Sequence, residues 1–358
     1  KSSVTDSKLK KRVEAMREAV QDVPGHEAFP LDFYDQKRLA TWVRDNPGVL
    51  LWVKEKIGEP LHGWQPYGNW ANSKEKEDAE YLLDDKCRLY DFRQDSSHPG
   101  ESIKNGIKRI REILNRPQGV VRLIGLSGTG KTRLVQALFD ARVGEDALHS
   151  SLAIYTDEGH SPDPSPRDVM NRLIAERRRS ILVVDNCLPE THKELVNCIR
   201  PESQLSLITV EFDVGEDYPE NTDVFRLEPA SDDLIGWILE RRAPQVSLID
   251  RKRIAMHSGG NARLALALLT SALQRGDNIS HFSDKELFER LFHQRNPKDK
   301  SLLQTAKFCS LIYSFDVRTI DSESELQFLA GLAGQDVQQF YGHVAELLKR
   351  DLVQKRGT

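Results

Sequence analysis

A glycine-rich run that ends in a lysine and a threonine is the clearest chemical pattern in this chain of 358 residues. It reads Gly125-Leu126-Ser127-Gly128-Thr129-Gly130-Lys131-Thr132, with the apolar run 120–124 before it and a helical pattern over 133–142 after it. Glycines here let backbone N–H groups turn around phosphate oxygens, and the N-terminus of the following helix favours negative charge. In this pattern the lysine reaches the terminal phosphates and the threonine hydroxyl binds Mg²⁺. The run therefore predicts a site for ATP or GTP with Mg²⁺.

A second site residue lies at the end of another apolar run. The run 181–184 is followed by Asp185, and ligands bind at the carboxyl ends of strands in open parallel sheets. We expect Asp185 to hold Mg²⁺ together with Thr132, because hard cations prefer oxygen ligands. One further apolar run, 152–155, lies between the two motifs. This order is typical of the P-loop proteins in which another strand, here Leu205–Val210, is inserted in the sheet between the two motif strands.

The residue after Asp185 bears on hydrolysis. It is Asn186, and an amide cannot act as a general base. Glu211, at the end of the predicted inserted strand, is the best candidate to contact the hydrolytic water. The predicted catalytic residues are therefore Lys131, Asp185 and Glu211. We expect hydrolysis to be slow or absent.

An arginine in the second half of the chain is a further candidate for phosphate contact. The run 258–263, Ser-Gly-Gly-Asn-Ala-Arg, joins two predicted helices, and Asn261 can cap the second one. Arg263 then lies in the first turn, where a positive charge opposes the helix dipole. A nearby anion explains this position, so we expect Arg263 to contact the γ-phosphate from a helical lid. The predicted nucleotide-binding residues are Gly125, Ser127, Gly128, Thr129, Gly130, Lys131, Thr132, Arg133 and Arg263.

The distribution of strand and helix patterns predicts the architecture. Residues 99–229 alternate strands with helices and predict an α/β three-layer P-loop NTPase domain with a parallel sheet. Residues 230–296 show helical patterns alone and predict a helical lid domain. Residues 297–358 show three helices and then the apolar run 352–355, which predicts a winged-helix domain that is truncated after its first wing strand. Residues 1–98 predict a helical connector.

Composition excludes several kinds of protein. The 51 Lys and Arg against 55 Asp and Glu give a net charge of −4, so no overall basic field attracts nucleic acid or an anionic membrane. Apolar runs all fall short of the about 18 residues that a membrane helix needs. The four cysteines lack metal-ligand spacing, which predicts reduced thiols, no zinc site and a cytoplasmic location. Trp64, Tyr67 and Trp70 are expected to pack in a core, because no lysine or arginine is interleaved with them.

Together these motifs resemble the STAND class of P-loop NTPases, the AAA+-related signalling switches that include prokaryotic antiviral sensors, apoptosis adaptors and plant immune receptors. The matching pieces are the runs 123–134, 183–187 and 258–263 and the predicted winged helix. The resemblance implies a switch whose ATP-bound and ADP-bound states differ in domain packing and control self-association and an effector. Asn186 and Glu211 depart from the residues that many members have there, which implies slow or absent hydrolysis.

A second resemblance concerns the segment from Phe33 to Trp70. It is similar to the stretch that links restriction-endonuclease-like domains to such ATPases in bacterial defence proteins, which implies an effector upstream of Lys1. We also expect a sensor beyond Thr358, because a lone wing strand would leave its backbone groups unpaired. The expected partners are nucleotide, further copies of the chain, and effector and sensor domains outside it, with no membrane.

Two alternatives remain open on the sequence alone. One is an AAA+ remodelling ATPase that turns over continuously in a ring, which the missing acidic residue after Asp185 disfavours. The other is a nucleotide-regulated winged-helix protein that binds DNA directly through Lys349, Arg350, Lys355 and Arg356. Four charges are weak support for phosphate binding, so a winged helix that packs on protein is favoured.

Overall fold

The computed structural model describes residues 6–71, 81–92, 99–211, 222–275, 292, 300–312, 314–317, 324–350 and 352–353. Its centre is a mixed sheet of eight strands. The strands are β1 (Trp64–Pro66), β2 (Arg88–Asp91), β3 (Glu101–Ser102), β4 (Val120–Ile124), β5 (Ala153–Asp157), β6 (Ser180–Asp185), β7 (Leu205–Val210) and β8 (Asp223–Leu227).

Most helices follow the segments where helical periodicity predicts them. They are α1 (Asp6–Ala19), α2 (Gln36–Asp45), α3 (Pro47–Lys56), α4 (Tyr67–Ala71), α5 (Ile103–Leu114), α6 (Lys131–Leu138), α7 (Pro166–Ala175), α8 (Pro189–Cys198), α9 (Asp232–Arg242), α10 (Leu248–Ser258), α11 (Ala262–Arg275), α12 (Ser301–Cys309), α13 (Glu325–Leu332) and α14 (Val337–Lys349). No helix in the described ranges is both long enough and apolar enough to cross a membrane.

Strand order confirms the predicted insertion. The sheet runs β1-β5-β6-β7-β4-β8-β2-β3, so β7 lies between the glycine-rich-loop strand β4 and the aspartate strand β6. The five strands from β5 to β8 in this order pair in parallel. Every residue of β4, β6 and β7 is buried. These strands therefore appear in the sequence as continuous apolar runs, as expected when helices cover both faces of a parallel sheet.

An apolar core lies on each face of the sheet, so the domain has three layers, with the sheet between two layers of helices. Alternate residues of β6 point to opposite faces, with Ile181 and Val183 in one core and Leu182 and Val184 in the other. Side chains of α5 and α6 fill the first core, and side chains of α7 and α8 fill the second. The sheet thus fixes the loop after β4 and the end of β6 on one rigid edge.

The N-terminal region differs from the predicted helical connector. Strand β1 pairs antiparallel with β5, and β2 and β3 extend the opposite edge beside β8. Both edges of the sheet therefore come from residues before or near the predicted domain start at 99. These strands are two to four residues long, which is too short for alternation to be visible in the sequence.

The aromatic residues of this region pack in the core, as predicted. Trp64 is 6% exposed and Trp70 is 3% exposed. The Trp70 ring stacks on Tyr155 of β5, with centroids 4.3 Å apart. Trp70 also meets Phe139, just after α6, edge-on. The aromatic cluster therefore packs α4 against β5 and against Phe139, which follows α6.

A separate helical unit follows the sheet. Helices α9, α10 and α11 share a core that includes Ile235, Ile254 and Leu268, and Leu302 of α12 and Leu347 of α14 join it. The predicted helical region 230–296 also includes a helical pattern over 284–292, of which only Phe292 lies among the described residues, and it packs in this core. The helical unit therefore has at least three helices in the described part of the chain, and its role as a lid stays a prediction.

The C-terminal region contains the three predicted helices. Helices α12, α13 and α14 pack around Leu326, Leu329 and Phe340. Of the predicted wing strand, Leu352 and Val353 are described as a bend that contacts the lid core, and 354–358 lie outside the described residues. The winged helix therefore remains a prediction.

Candidate functional site

The loop between β4 and α6 has a positive φ at Gly125, Gly128 and Gly130, and a Cβ at the first two would also collide with neighbouring atoms. Gly125 has φ 141°, and a Cβ there would lie 2.6 Å from the Leu227 carbonyl oxygen. Gly128 has φ 83°, and a Cβ there would lie 2.3 Å from the Asn261 side-chain oxygen. Both values are in the region that other L-residues rarely adopt. The loop thus combines the strand, turn and helix N-terminus that phosphate binding requires.

Lys131 is the first residue of α6, and its ammonium group turns back over the loop. Its Nζ donates hydrogen bonds to the carbonyl oxygens of Gly125 at 2.7 Å and Leu126 at 2.8 Å. The residue is only 9% exposed. A buried cation beside a helix N-terminus makes the loop strongly attractive to phosphate oxygens.

Thr132 and Asp185 meet as the sequence predicts for a shared metal site. The Thr132 hydroxyl donates to Asp185 Oδ2 at 2.7 Å. Tyr155 donates to the same oxygen at 3.2 Å, a contact that sequence analysis missed. Asp185 is 5% exposed, and burial raises the pKa of its carboxyl group.

The oxygen set at this point fits Mg²⁺. The described residues contain no cluster of three or more His, Cys, Asp or Glu side chains that could hold a metal alone. Mg²⁺ is usually bound by one or two protein oxygens, with water and substrate phosphates completing the octahedron. Thr132 and Asp185 would hold the ion, and it would neutralise phosphate charge.

Asn186 connects Asp185 to a second carboxylate. Its φ of 51° is left-handed, which asparagine tolerates better than most residues. Its side-chain Nδ2 donates to Asp157 Oδ1 at 2.9 Å. Asp157 ends β5, directly beside Asp185 in the sheet register. Sequence analysis did not identify Asp157, although a polar residue at the end of a buried strand is a usable signal.

Glu211 is placed opposite a buried arginine. Arg122 Nε donates to Glu211 Oε2 at 2.9 Å, and the two side chains are 3% and 1% exposed. An arginine inside a sheet needs a counter-charge, because an unpaired buried charge is very costly. The structure thus brings the predicted catalytic Glu211 together with Arg122, a partner that the sequence analysis missed.

A buried histidine extends this polar interior. His192 Nδ1 lies 2.7 Å from Thr209 Oγ1 of β7, and its Nε2 lies 3.3 Å from Thr222 Oγ1. Burial, followed by the charge of Arg122, lowers the pKa of His192 to about 4. The imidazole is therefore neutral near pH 7.

The helical unit that follows the sheet contacts the glycine-rich loop directly. Asn261 Nδ2 donates to the Ser127 carbonyl oxygen at 2.7 Å, and the Ala262 N–H donates to the Gly128 carbonyl oxygen at 3.1 Å. The Asn261 side-chain oxygen also accepts from the Leu264 N–H at 3.1 Å, as expected for a helix cap. Two hydrogen bonds therefore join the N-terminus of α11 to the loop.

Both candidate arginines lie beside the loop. Arg263 donates from a guanidinium nitrogen to Ser127 Oγ at 3.3 Å, so its charge lies beside the turn of the glycine-rich loop. Arg133 lies over the Tyr81 ring, 4.0 Å from its centroid, and donates to Gln136 Oε1 at 3.1 Å. Arg133 thus lines the wall of a neighbouring cavity.

That cavity, of about 310 Å³, opens beside Thr129 and Gly130 and is mainly apolar. Segment 81–87, helices α5 and α6, and helices α9 and α11 of the helical unit surround it. Its walls include Leu83, Ile107, Leu134, Leu227, Ile238 and Leu266. Pockets of this size and polarity accept a drug-sized organic group. Sequence analysis missed it because its walls come from segments distant in the chain.

The comparisons with known proteins give distant likenesses alone. No family model matches the chain, and no curated protein matches it. A STAND protein with a tetratricopeptide repeat sensor from Pyrococcus horikoshii has 14% identity and a TM-score of 0.34 over 73% of this chain. The chain spans only 40% of that protein's length.

Two other solved structures give similar values. Rhizobiales Trip13 has 14% identity and a TM-score of 0.31, covering 75% of this chain and 97% of its own. AMPPCP-bound DnaA from Aquifex aeolicus has 15% identity and a TM-score of 0.32, covering 70% of this chain and 88% of its own. At these TM-scores, the placement of the chain among P-loop proteins rests on its own strand order and glycine-rich loop.

Proposed function

We propose that this chain binds ATP or ADP with Mg²⁺ and acts as a nucleotide-dependent switch of the STAND type. The observation that carries the proposal is the direct attachment of the lid to the glycine-rich loop through Asn261 and Ala262. A phosphate in the loop has to interact with the same backbone. Occupancy of the loop and position of the lid are therefore coupled.

Recognition of the nucleotide follows from the site. The loop, Lys131 and the N-terminus of α6 would hold the phosphates, while Thr132 and Asp185 would hold Mg²⁺. The cavity beside Gly130 would hold the base and ribose, since it is apolar and adjoins the loop. Arg263, next to Ser127, would distinguish a terminal γ-phosphate from its absence.

A switch requires that the two nucleotides favour different conformations. A ligand shifts an equilibrium only by its difference in affinity for the two states. A contact from Arg263 to the γ-phosphate would give ATP such a difference, because ADP lacks that group. The lid carries α12 and α14 on its core through Leu302 and Leu347. Movement of α11 would thus move the C-terminal helices and expose or cover surfaces for self-association.

The biological setting remains part of the proposal. The resemblance to STAND proteins favours control of an effector in prokaryotic defence, with effector and sensor domains outside this chain and a cytoplasmic location. Hydrolysis would be slow, because Asn186 follows Asp185 and Glu211 is paired with Arg122. Direct DNA binding is the less favoured role.

Sedimentation velocity tests the switch. The wild-type chain is compared with saturating ADP and with a non-hydrolysable ATP analogue, each with Mg²⁺, and Arg263→Ala is the matched variant. We expect the analogue alone to change the sedimentation coefficient, and Arg263→Ala to lose this response while it still binds ADP. The same coefficient with both nucleotides would contradict the switch and leave nucleotide binding intact.

A further inference from the structure

Hydrolysis by a site of this kind needs a carboxylate that accepts a proton from water. Two positions at this edge of the sheet cannot readily supply it. Asn186 has an amide, and Glu211 is 1% exposed and paired with the Arg122 guanidinium. An ion pair that deep holds the carboxylate against the guanidinium. A proton acceptor must therefore be sought elsewhere on the same edge.

Asp157 occupies the required place. It ends β5 in register with Asp185, and neighbouring strands lie only about 4.8 Å apart. A continuous row of contacts leads to it from the predicted metal ligands. Thr132 donates to Asp185, whose Oδ1 accepts from the Asn186 N–H at 2.9 Å, and the Asn186 side chain donates to Asp157.

The two oxygens of Asp157 have different surroundings. Oδ1 accepts from the Asn186 side chain at 2.9 Å and from the Gly159 N–H at 2.8 Å, which fixes the carboxylate plane. Oδ2 has one contact among the described residues, His160 Nδ1 at 3.3 Å, and that histidine side chain is 71% exposed. Oδ2 is therefore the oxygen that a water molecule can approach.

We propose that Asp157 is the carboxylate that activates the attacking water, with Asn186 as its positioning residue. The inference rests on the proposed nucleotide site. The water oxygen forms a bond to the γ-phosphorus while the bond from that phosphorus to the β,γ-bridging oxygen breaks. The bridging oxygen keeps the electron pair and leaves on ADP, and one proton of the water passes to Asp157 Oδ2. The products are ADP and inorganic phosphate.

A positioning role for Asn186 accounts for its contact with the carboxylate of Asp157. The Asn186 backbone N–H donates to Asp185 while its side-chain amide donates to Asp157, and the left-handed backbone of Asn186 places the two donors across the two strand ends. The carboxylate is one strand farther from β4 than Asp185 is. We expect slow turnover from a base at this greater distance from the glycine-rich loop.

The test uses Asp157→Asn, which keeps the side-chain shape and the Oδ1 acceptor. The neighbouring Glu158→Gln is the matched control, since it also removes one carboxylate from the edge of the sheet. Single-turnover hydrolysis of ATP and affinity for a non-hydrolysable ATP analogue are measured for each. We expect Asp157→Asn to lose about 100-fold in turnover or more and to keep analogue affinity within about two-fold. Glu158→Gln should change neither value by more than about two-fold.

Three results would overturn the assignment. The first is that Asp157→Asn hydrolyses ATP about as fast as the wild type. The second is that Asp157→Asn loses turnover and analogue affinity to the same degree. The third is that the wild type hydrolyses ATP no faster than Lys131→Ala does. In the last case analogue binding by the wild type would leave the proposed nucleotide site standing. Failure of the wild type to bind the analogue would instead refute the proposed function itself.

Discussion

The buried Arg122–Glu211 ion pair predicts a large loss of stability when one of its two charges is removed. Glu211→Gln removes the negative charge that pairs with the Arg122 guanidinium, whose side chain is 3% exposed. Breaking a buried pair in this way costs about 3–5 kcal/mol. For a domain of this size that corresponds to a fall of about 6–20 °C in the melting temperature. An exposed pair lost in the same way costs about 0.5 kcal/mol or less.

Urea unfolding followed by tryptophan fluorescence measures this loss, because Trp64 and Trp70 are buried beside the sheet. Glu346→Gln, which breaks the half-exposed pair with Arg350, is the matched control. The double variant Arg122→Met with Glu211→Leu should recover most of the stability, since both charges are gone.

Two outcomes would refute this reasoning. The first is a Glu211→Gln protein as stable as the control variant, which would mean that the pair is solvated. The second is a double variant no more stable than the single one, which would mean that shape and not charge explains the loss.

Three further predictions concern phosphate contact, turnover and pH. Arg263→Ala should weaken ATP binding by about 10–100-fold, the value of a charge-assisted hydrogen bond, and leave ADP nearly unchanged; equal losses in calorimetry would contradict the contact. Steady-state turnover should stay below about 1 s⁻¹, and phosphate release in the ordinary enzyme range would count against a switch. His192 has its pKa lowered from 6.5 to about 4 in the folded protein, so the unfolded chain binds a proton first as the pH falls. The free energy of unfolding of the wild type should therefore fall between about pH 6.5 and pH 4, by about 3 kcal/mol more than that of His192→Gln. Identical dependence of the free energy of unfolding on pH in the two proteins would contradict this.

The sheet core was predictable because burial on both faces leaves continuous apolar runs. Strands β4, β6 and β7 and the inserted position of β7 follow from those runs and from the order of motifs. The capping of α11 by Asn261 was also predictable, since a cap acts within three residues. A helix cap of this kind depends only on residues that are close together in the sequence.

Long-range pairings were not predictable in the same way. Arg122 meets Glu211 across 89 positions of the chain, and Trp70 meets Tyr155 on a strand it does not adjoin in sequence. The sheet edges β1, β2 and β3 are too short to leave a periodic pattern. Such contacts depend on the assembled fold and not on any local preference.

The contact between the glycine-rich loop and α11 could not be predicted from the spacing of residues in the sequence. The types and order of residues from Gly125 to Thr132 predict phosphate binding, but the attachment of the loop to α11 depends on the position of the lid. Gly128 illustrates this, because a Cβ there would collide with the Asn261 side chain as well as strain the backbone. The same residue therefore serves the loop and the contact between domains.

Calorimetric titration with ATP tests the central claim most directly. The wild-type chain and Lys131→Ala are each titrated with and without Mg²⁺. We expect the wild type to bind ATP more tightly with Mg²⁺ than without it, and Lys131→Ala to lose this binding, because the variant lacks the buried ammonium at the loop. Equal ATP affinity in the two proteins, or no binding by the wild type with Mg²⁺ present, would contradict it.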